Sequence, residues 1–394
     1  MRPSHMKAMF RVALVLGGLA GTGWGQAVLI VPSATYPTIQ SAINAAVPGD
    51  VVQVGPGTYV ENLDLLGKEI QLVGAGPDLT TIDGNQSGAV IVCKSDEGPG
   101  TLIEGFTLTN GSGFVESGPL GATFVKGGGI YLSENVNSPF FATDVLVKNC
   151  RIVGNTAPDG GGGVHVTLFA PVTLEDCALE NNSLNAVGQE LSAAFDLVRC
   201  VIRGNTNPNG YVSGVFVDAG TSLGPISIRD CLIEGTQADE GALIYAPSGS
   251  RIVVEHCTFA NNTATLPGAA LILEGTSPTF APVAPTFRNC VFWGNSSPLA
   301  GPIPNSMGPT LNLDHCLVQG GFSGAGNIAV DPKFVDPARG IYRLRPDSPA
   351  IDAGVVLSPP SPAIPIPLTL TFQGVVEATP GVFAVTNAVV VDVR

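Results

Sequence analysis

The chain repeats one short pattern of apolar and polar positions. It reads VLVKNCRIVGN at 145–155 and returns as VTLEDCALENN, DLVRCVIRGN, ISIRDCLIEGT, IVVEHCTFANN, PTFRNCVFWGN and LNLDHCLVQGG. Its cysteines, Cys150, Cys177, Cys200, Cys231, Cys257, Cys290 and Cys316, are spaced by 27, 23, 31, 26, 33 and 26 residues. Three positions before each stands an apolar residue, such as Val147 or Leu174, and two after it another, such as Ile152 or Leu179. A straight strand alternates its faces, so it cannot bury both the upstream apolar residue and the Cys. The pattern therefore predicts a strand, a two-residue bend and a second strand. Asn149, Asp176, Asp230 and Asn289 at the bend tolerate left-handed backbone.

A Gly/Asn turn (GNTA, ENNS, GNTN, ANNT, GNSS) follows the second strand, and then a third strand entered through small residues: GGGIYL, GGGVHV, VSGVFV, EGALIY or GAALIL. Phe106 and Leu108 take the places of Cys and its apolar successor in an earlier, less regular copy. Three short strands and three turns in each repeat of ~26 residues cannot bury their own apolar face, but stacked copies form a continuous core. The expected fold is all-β: a single-stranded parallel β-helix of about ten rungs. A β-propeller would need blades of about 40–50 residues built as antiparallel meanders.

The two ends depart from the repeat. Residues 1–25 read as an export signal, with Arg2, Lys7 and Arg11 ahead of the short apolar run VALVLGGLA and small residues before a cut after Gly25. The run is shorter than the ~20 residues a membrane span needs, and no later stretch reads as a membrane helix. TYPTIQSAINAAVPGD predicts one short capping helix with Ile39, Ile43, Ala46 and Val47 on one face. The β-helix is assigned to 26–354. The Pro-rich segment 355–394 is expected to form two or three edge strands as a C-terminal β cap, with a disordered tail as the alternative.

Composition narrows the partners. A net charge of −14 with no basic cluster excludes a nucleic-acid binder, because phosphate contacts need Lys and Arg. Eight cysteines in an exported chain would ordinarily suggest disulfides. Stacked equivalent positions, however, lie about 4.8 Å apart with parallel side chains, whereas disulfides need converging Cβ atoms near 3.8 Å. Buried free thiols acting as small apolar fillers are the favoured reading.

The start, SATYPTIQSAINAAVPGDVVQVGPGTYVENLDL, and the rungs that follow resemble the right-handed parallel β-helix (pectin lyase-like) superfamily, which includes pectate lyases, pectin esterases and polygalacturonases. The GNTA–GGG rungs are similar to repeats of bacterial surface and autotransported proteins. The stretch VDPKFVDPARGIYRLRPDSPAIDAG resembles the tail of bacterial choice-of-anchor Q domain proteins. The resemblance implies a right-handed solenoid, export, and a substrate cleft on the outer face of the GGG-entered strand. Alternation then gives the outward row: Tyr131, His165, Phe216, Ile244 and Ile272 as candidate glycan-binding residues, unless loops fold over and bury them.

Candidate chemistry is sparse. Asp218 and Glu274, two rungs apart and hence about 9.6 Å at Cα, could serve as the paired carboxyls of an inverting glycosidase. Asp159 and His165 could form an acid/base or metal pair, though a lone outward His is more often simply solvated. His256 and His315, just before Cys257 and Cys316, are turn residues pointing away from the thiols, so no metal site is expected. No Asp-Asp pair, QDTL-like segment or Arg-Pro-Trp motif of the pectin-cleaving families occurs. The outward row carries no Lys or Arg, and Lys126 is the nearest. No cofactor is implied, with Ca2+ left open for a lyase-like site. The expectation is an exported, monomeric, non-catalytic surface or secreted protein for adhesion or glycan binding; the alternative is a polysaccharide lyase or glycoside hydrolase.

Overall fold

The structure, a computed structural model, describes residues 26–117, 121–135, 143–190, 194–207, 214–218, 226–238, 244–245, 252–264, 286–296, 312–355, 376–379 and 382–384. The export signal lies outside the described residues. Among the described residues three long parallel sheets, with a short fourth one of three strands, build a solenoid. The first has 11 strands, from Val28–Val31 to Asn312–Asp314; the second has 10, from Gly57–Val60 to Leu317–Val318; the third has seven, from Leu63–Asp64 to Ile244–Tyr245. Each strand pairs with its counterparts one rung away, as Val145–Lys148 does with Thr101–Glu104 and Val172–Glu175. The fold is a parallel β-helix.

The corner between the first two sheets follows the repeat. Val147, Cys150 and Ile152 are all buried, as are their equivalents down to Leu313, Cys316 and Val318. The bend that allows this is one residue shorter than the pattern predicts. Lys148 is still strand, and Asn149 alone turns the chain, with φ 46°. The same left-handed backbone recurs at Asp176, Arg199, Asp230, His256, Asn289 and His315. A positive φ at one residue breaks the alternation, so the Cys swings inward with its upstream neighbour. All eight cysteines are buried free thiols. Each repeat thiol donates to carbonyls, as Cys177 Sγ does to Glu175 O (3.3 Å) and Val147 O (3.5 Å). Burial pushes the Cys150 thiol up to about 12.

The second corner carries a ladder that the turn reading missed. In GN and NN, the first residue is left-handed (Gly154 φ 66°, Asn181 φ 52°, Gly204 φ 62°) and the next Asn is buried. Asn155 Nδ2 donates to Leu108 O (3.0 Å) and to Asn182 Oδ1 (3.1 Å), while Asn182 repeats this on Ile152 O and Asn205 Oδ1. Thr236 takes the Asn place in one rung and donates to Asn262 Oδ1. Each amide thus satisfies backbone groups of a buried turn that would otherwise go unpaired.

The N-terminal end is closed by the helix Ile39–Ala45, capped by Thr38 and Ser41, with the Glu61 carboxylate accepting from Ile39 N and Gln40 N (both 2.9 Å). Ile39, Ala42, Ile43 and Ala46 are buried. Val47, expected on that face, is exposed because the helix has already ended. At the other end Phe334–Asp336 and Ile341–Leu344 form an antiparallel hairpin. Phe334, Tyr342 and Leu344 pack on Val201, Leu232, Val291 and Leu317, the outward residues of successive second-sheet strands. Beyond it, Val355 exchanges two 2.9 Å hydrogen bonds with the Asn289 side chain, and Val376–Thr379 pairs with Val382–Ala384.

Candidate functional site: a covered aromatic row on the third sheet

The GGG entry fixes where the third-sheet row begins. A Cβ at Gly128 would lie 2.5 Å from the carbonyls of Gly162 and Thr156, so only glycine lets neighbouring rungs approach this closely. Ile130 and Leu132 then enter the core, and register aligns Tyr131 with His165, Gly188, Phe216 and Tyr245. The strand Val187–Glu190, which supplies Gly188, was not legible as a rung because it lacks a glycine run. A Cβ at Gly188 would stand 3.1 Å from His165 Nδ1, so this glycine makes room for the imidazole.

Tyr131 and His165 do turn away from the core, but they are not open to solvent: they are 2% and 1% exposed. The open platform expected from alternation is thereby corrected. A two-stranded hairpin, Phe114–Ser117 paired with Thr123–Lys126, folds over them. The Phe114 ring lies 4.5 Å from that of Tyr131, and Tyr131 stacks on His165 at 6.0 Å and 10°. Alternation sets the direction of a side chain, whereas a hairpin upstream, from Phe114 on, decides its exposure.

The hairpin also brings charge into a row that the sequence shows as uncharged. Lys126 Nζ lies 2.5 Å from Glu190 Oε2 and 3.4 Å from Glu116 Oε2. It stands 5.0 Å from the Phe124 ring centre, and Lys94 Nζ stands 4.9 Å from that of Phe114. His165 Nε2 is 3.9 Å from Glu190 Oε2, too far for a hydrogen bond, and neither ring nitrogen has a hydrogen-bond partner among the described residues. Burial, aided by the Lys126 charge, pushes His165 down to about 3, so its ring is neutral. Burial and then the Glu116 charge push the Tyr131 phenol well above its usual range. A buried polar group left unmet costs about 1–3 kcal/mol, and here two nitrogens sit unmet on one ring.

The remaining candidates do not converge on this cluster. Ile244 pairs with Val215, which is fully buried, so it holds an inward register position and Tyr245 takes the place beside Phe216. The expected alternation was one residue out of phase there. Of Phe216 and Asp218 the backbone alone is described; Asp218 aligns with Glu190. Ile272 and Glu274 lie outside the described residues. Asp159 clips the hairpin instead of pairing with His165: its Oδ2 accepts from Val125 N (2.7 Å) and its N–H donates to Val125 O (3.1 Å). His256 and His315 are bend residues, 3.4 Å from Asp230 Oδ1 and 2.7 Å from Asp314 Oδ1. Among the described residues no group of three or more His, Cys, Asp or Glu could hold a metal ion, and no helix is long and apolar enough to cross a membrane.

Residues 80–246 and 128–327 match the family model for the right handed beta helix region. The chain belongs to this family. The solenoid is therefore a right-handed parallel β-helix. No curated protein matches the chain. Among solved structures, it is similar to pectate lyase Pel9A at 14% identity and a TM-score of 0.46, over 89% of this chain and 94% of that one. The pectin methylesterase from Aspergillus niger is similar at 13% identity and a TM-score of 0.41, over 79% and 94%. A tailspike protein, gp49 of Acinetobacter baumannii bacteriophage Fri1, a capsular polysaccharide depolymerase, matches at 10% identity and a TM-score of 0.37, over 74% and 56%. Likeness at this level concerns the fold and not the chemistry.

Proposed function

We propose that the chain is an exported, non-catalytic β-helix protein that binds glycan through the outer face of its third sheet, at the cell surface or in secreted form. The observation that carries this reading is the stacked pair Tyr131–His165, with Phe216 and Tyr245 continuing the same register. A pair of stacked rings on a flat sheet is a face on which a sugar ring can stack. The charged groups beside them support binding over cleavage. Lys126 is held between Glu116 and Glu190, and burial leaves the His165 ring only weakly basic, so neither suits the task of abstracting a proton. Export rests on the charged and then apolar start of the sequence.

A glycan array probed with the chain lacking residues 1–25, run beside an elimination assay on uronic polymers read by ultraviolet absorbance, tests this. Binding without unsaturated product or new reducing ends is the expected result. Release of either product overturns it in favour of a polysaccharide lyase or glycoside hydrolase.

A further inference from the structure

We infer that the paired strands Phe114–Ser117 and Thr123–Lys126 are a displaceable cover over a preformed site for a neutral glycan, and that the ligand enters by taking the place of Phe114 on Tyr131. This rests on the glycan-binding reading and adds to it a gate and a ligand charge.

Four observations carry it. His165 is 1% exposed, yet among the described residues neither ring nitrogen has a hydrogen-bond partner; Thr167 Oγ1, on the same outward side of the strand, has none there either. A neutral imidazole offers one donor and one acceptor, and the hydroxyls of a sugar can answer either. Second, Phe114 lies on Tyr131 at 4.5 Å, so the chain itself fills the stacking place above the platform. Third, the cover is built to leave. It is a two-stranded ribbon joined to none of the three long sheets, a unit that is marginal by itself. Its polar ties run chiefly from Lys126 to Glu190 and from Val125 to Asp159, while Phe114 holds the other strand by its ring on Tyr131. Its outer side leaves Val115 58% exposed, so little packs down on it. Fourth, two lysines (Lys94 and Lys126) face two glutamates (Glu116 and Glu190) around the rings, in a chain of net charge −14. That balance gives no excess cation for a uronate polymer and suits an uncharged sugar.

If the open form is the minor one, apparent affinity is reduced by its population, and weakening the cover restores it. Hydrogen–deuterium exchange over 114–126 and binding of cellohexaose, xylohexaose, mannohexaose and a galacturonate hexamer would be measured on the wild type, Lys126→Met, Phe114→Ala and Tyr131→Ala. Lys126→Met and Phe114→Ala should both speed exchange in the hairpin and tighten one neutral hexamer by about tenfold, while Tyr131→Ala abolishes its binding. Should Lys126→Met fail to fold, Phe114→Ala carries the comparison. Faster exchange with affinity equal to the wild type overturns the gate and leaves the glycan reading standing. No binding of any hexamer by variants whose hairpin exchanges fast overturns both. Preference for the galacturonate overturns the ligand charge.

Discussion

Lys126 Nζ lies 2.5 Å from Glu190 Oε2, and this contact ties the hairpin over the third sheet to the strand Val187–Glu190, two rungs beyond that of Tyr131. The lysine side chain is 9% exposed and the glutamate 22%, so water screens the pair only in part. Glu190→Gln keeps the shape but leaves Lys126 with Glu116 alone. It should destabilise the protein by about 1–3 kcal/mol in urea unfolding. An unchanged midpoint would mean that the pair contributes nothing net.

The bend before each Cys makes a sharper test of the scaffold. Asn149 is exposed and holds φ 46°. A β-branched residue cannot adopt that backbone without strain, whereas glycine can. Asn149→Val should cost about 1–2 kcal/mol, and Asn149→Gly should be close to neutral. Equal effects from the two would show that the side chain, not the backbone, matters at this position.

Asn182 stands in the middle of the buried ladder. Its Oδ1 accepts from Asn155 N and Nδ2, and its Nδ2 donates to Ile152 O and Asn205 Oδ1. Asn182→Ala strands several of these groups and should destabilise by roughly 3 kcal/mol or more. Asn182→Thr should cost less, because Thr236 already fills the equivalent place and bonds to Asn262 Oδ1. Thermal melts of the two variants, compared with each other, check the order.

The scaffold was legible because stacking writes the same physics into every rung. Apolar residues before and after each Cys, and small polar residues at the bend, follow directly from the backbone path. One further signal lay in plain sight. The residue two before each Cys runs Lys148, Glu175, Val198, Arg229, Glu255, Arg288, Asp314, and register stacks these outside the first sheet. Opposite charges alternate there, as in Lys148–Glu175 (3.5 Å) and Arg288–Glu255 (3.3 Å), since like charges on adjacent rungs would repel. The site was much less legible. Nothing in VHV tells that a hairpin from 114–126 will bury His165, or that Lys126 will reach Glu190. Those depend on an insertion that breaks the repeat, where periodicity has no say.

The thiol ladder makes a prediction about reactivity. All eight cysteines are buried, and burial pushes the Cys93, Cys257 and Cys290 thiols well above their usual range. Thiolate is the reactive form, so a thiol reagent at neutral pH should label none in the native protein and all eight after denaturation without reductant. Fewer than two labelled on unfolding would sink the free-thiol reading. Cys231→Asp places a carboxyl among apolar neighbours and should destabilise by several kcal/mol.

His165 gives the fold an acid limit. Its ring is held neutral, pushed down to about 3 by burial and by Lys126. In the unfolded chain a histidine titrates near 6.5. Between those values the unfolded state binds a proton that the native state refuses, so stability rises with pH there. The contribution is fully present above the unfolded value and is lost as pH falls toward 3. Urea midpoints should therefore drop between pH 6.5 and 4 by the equivalent of a few kcal/mol. His165→Leu removes the group, and its two unmet nitrogens with it. That variant should flatten this part of the profile and match or exceed the wild type at pH 4. A wild-type profile already flat across the window would mean that the imidazole finds a proton-accepting partner in solution, and that the cover over the third sheet opens far more readily than the packing of Phe114 on Tyr131 implies.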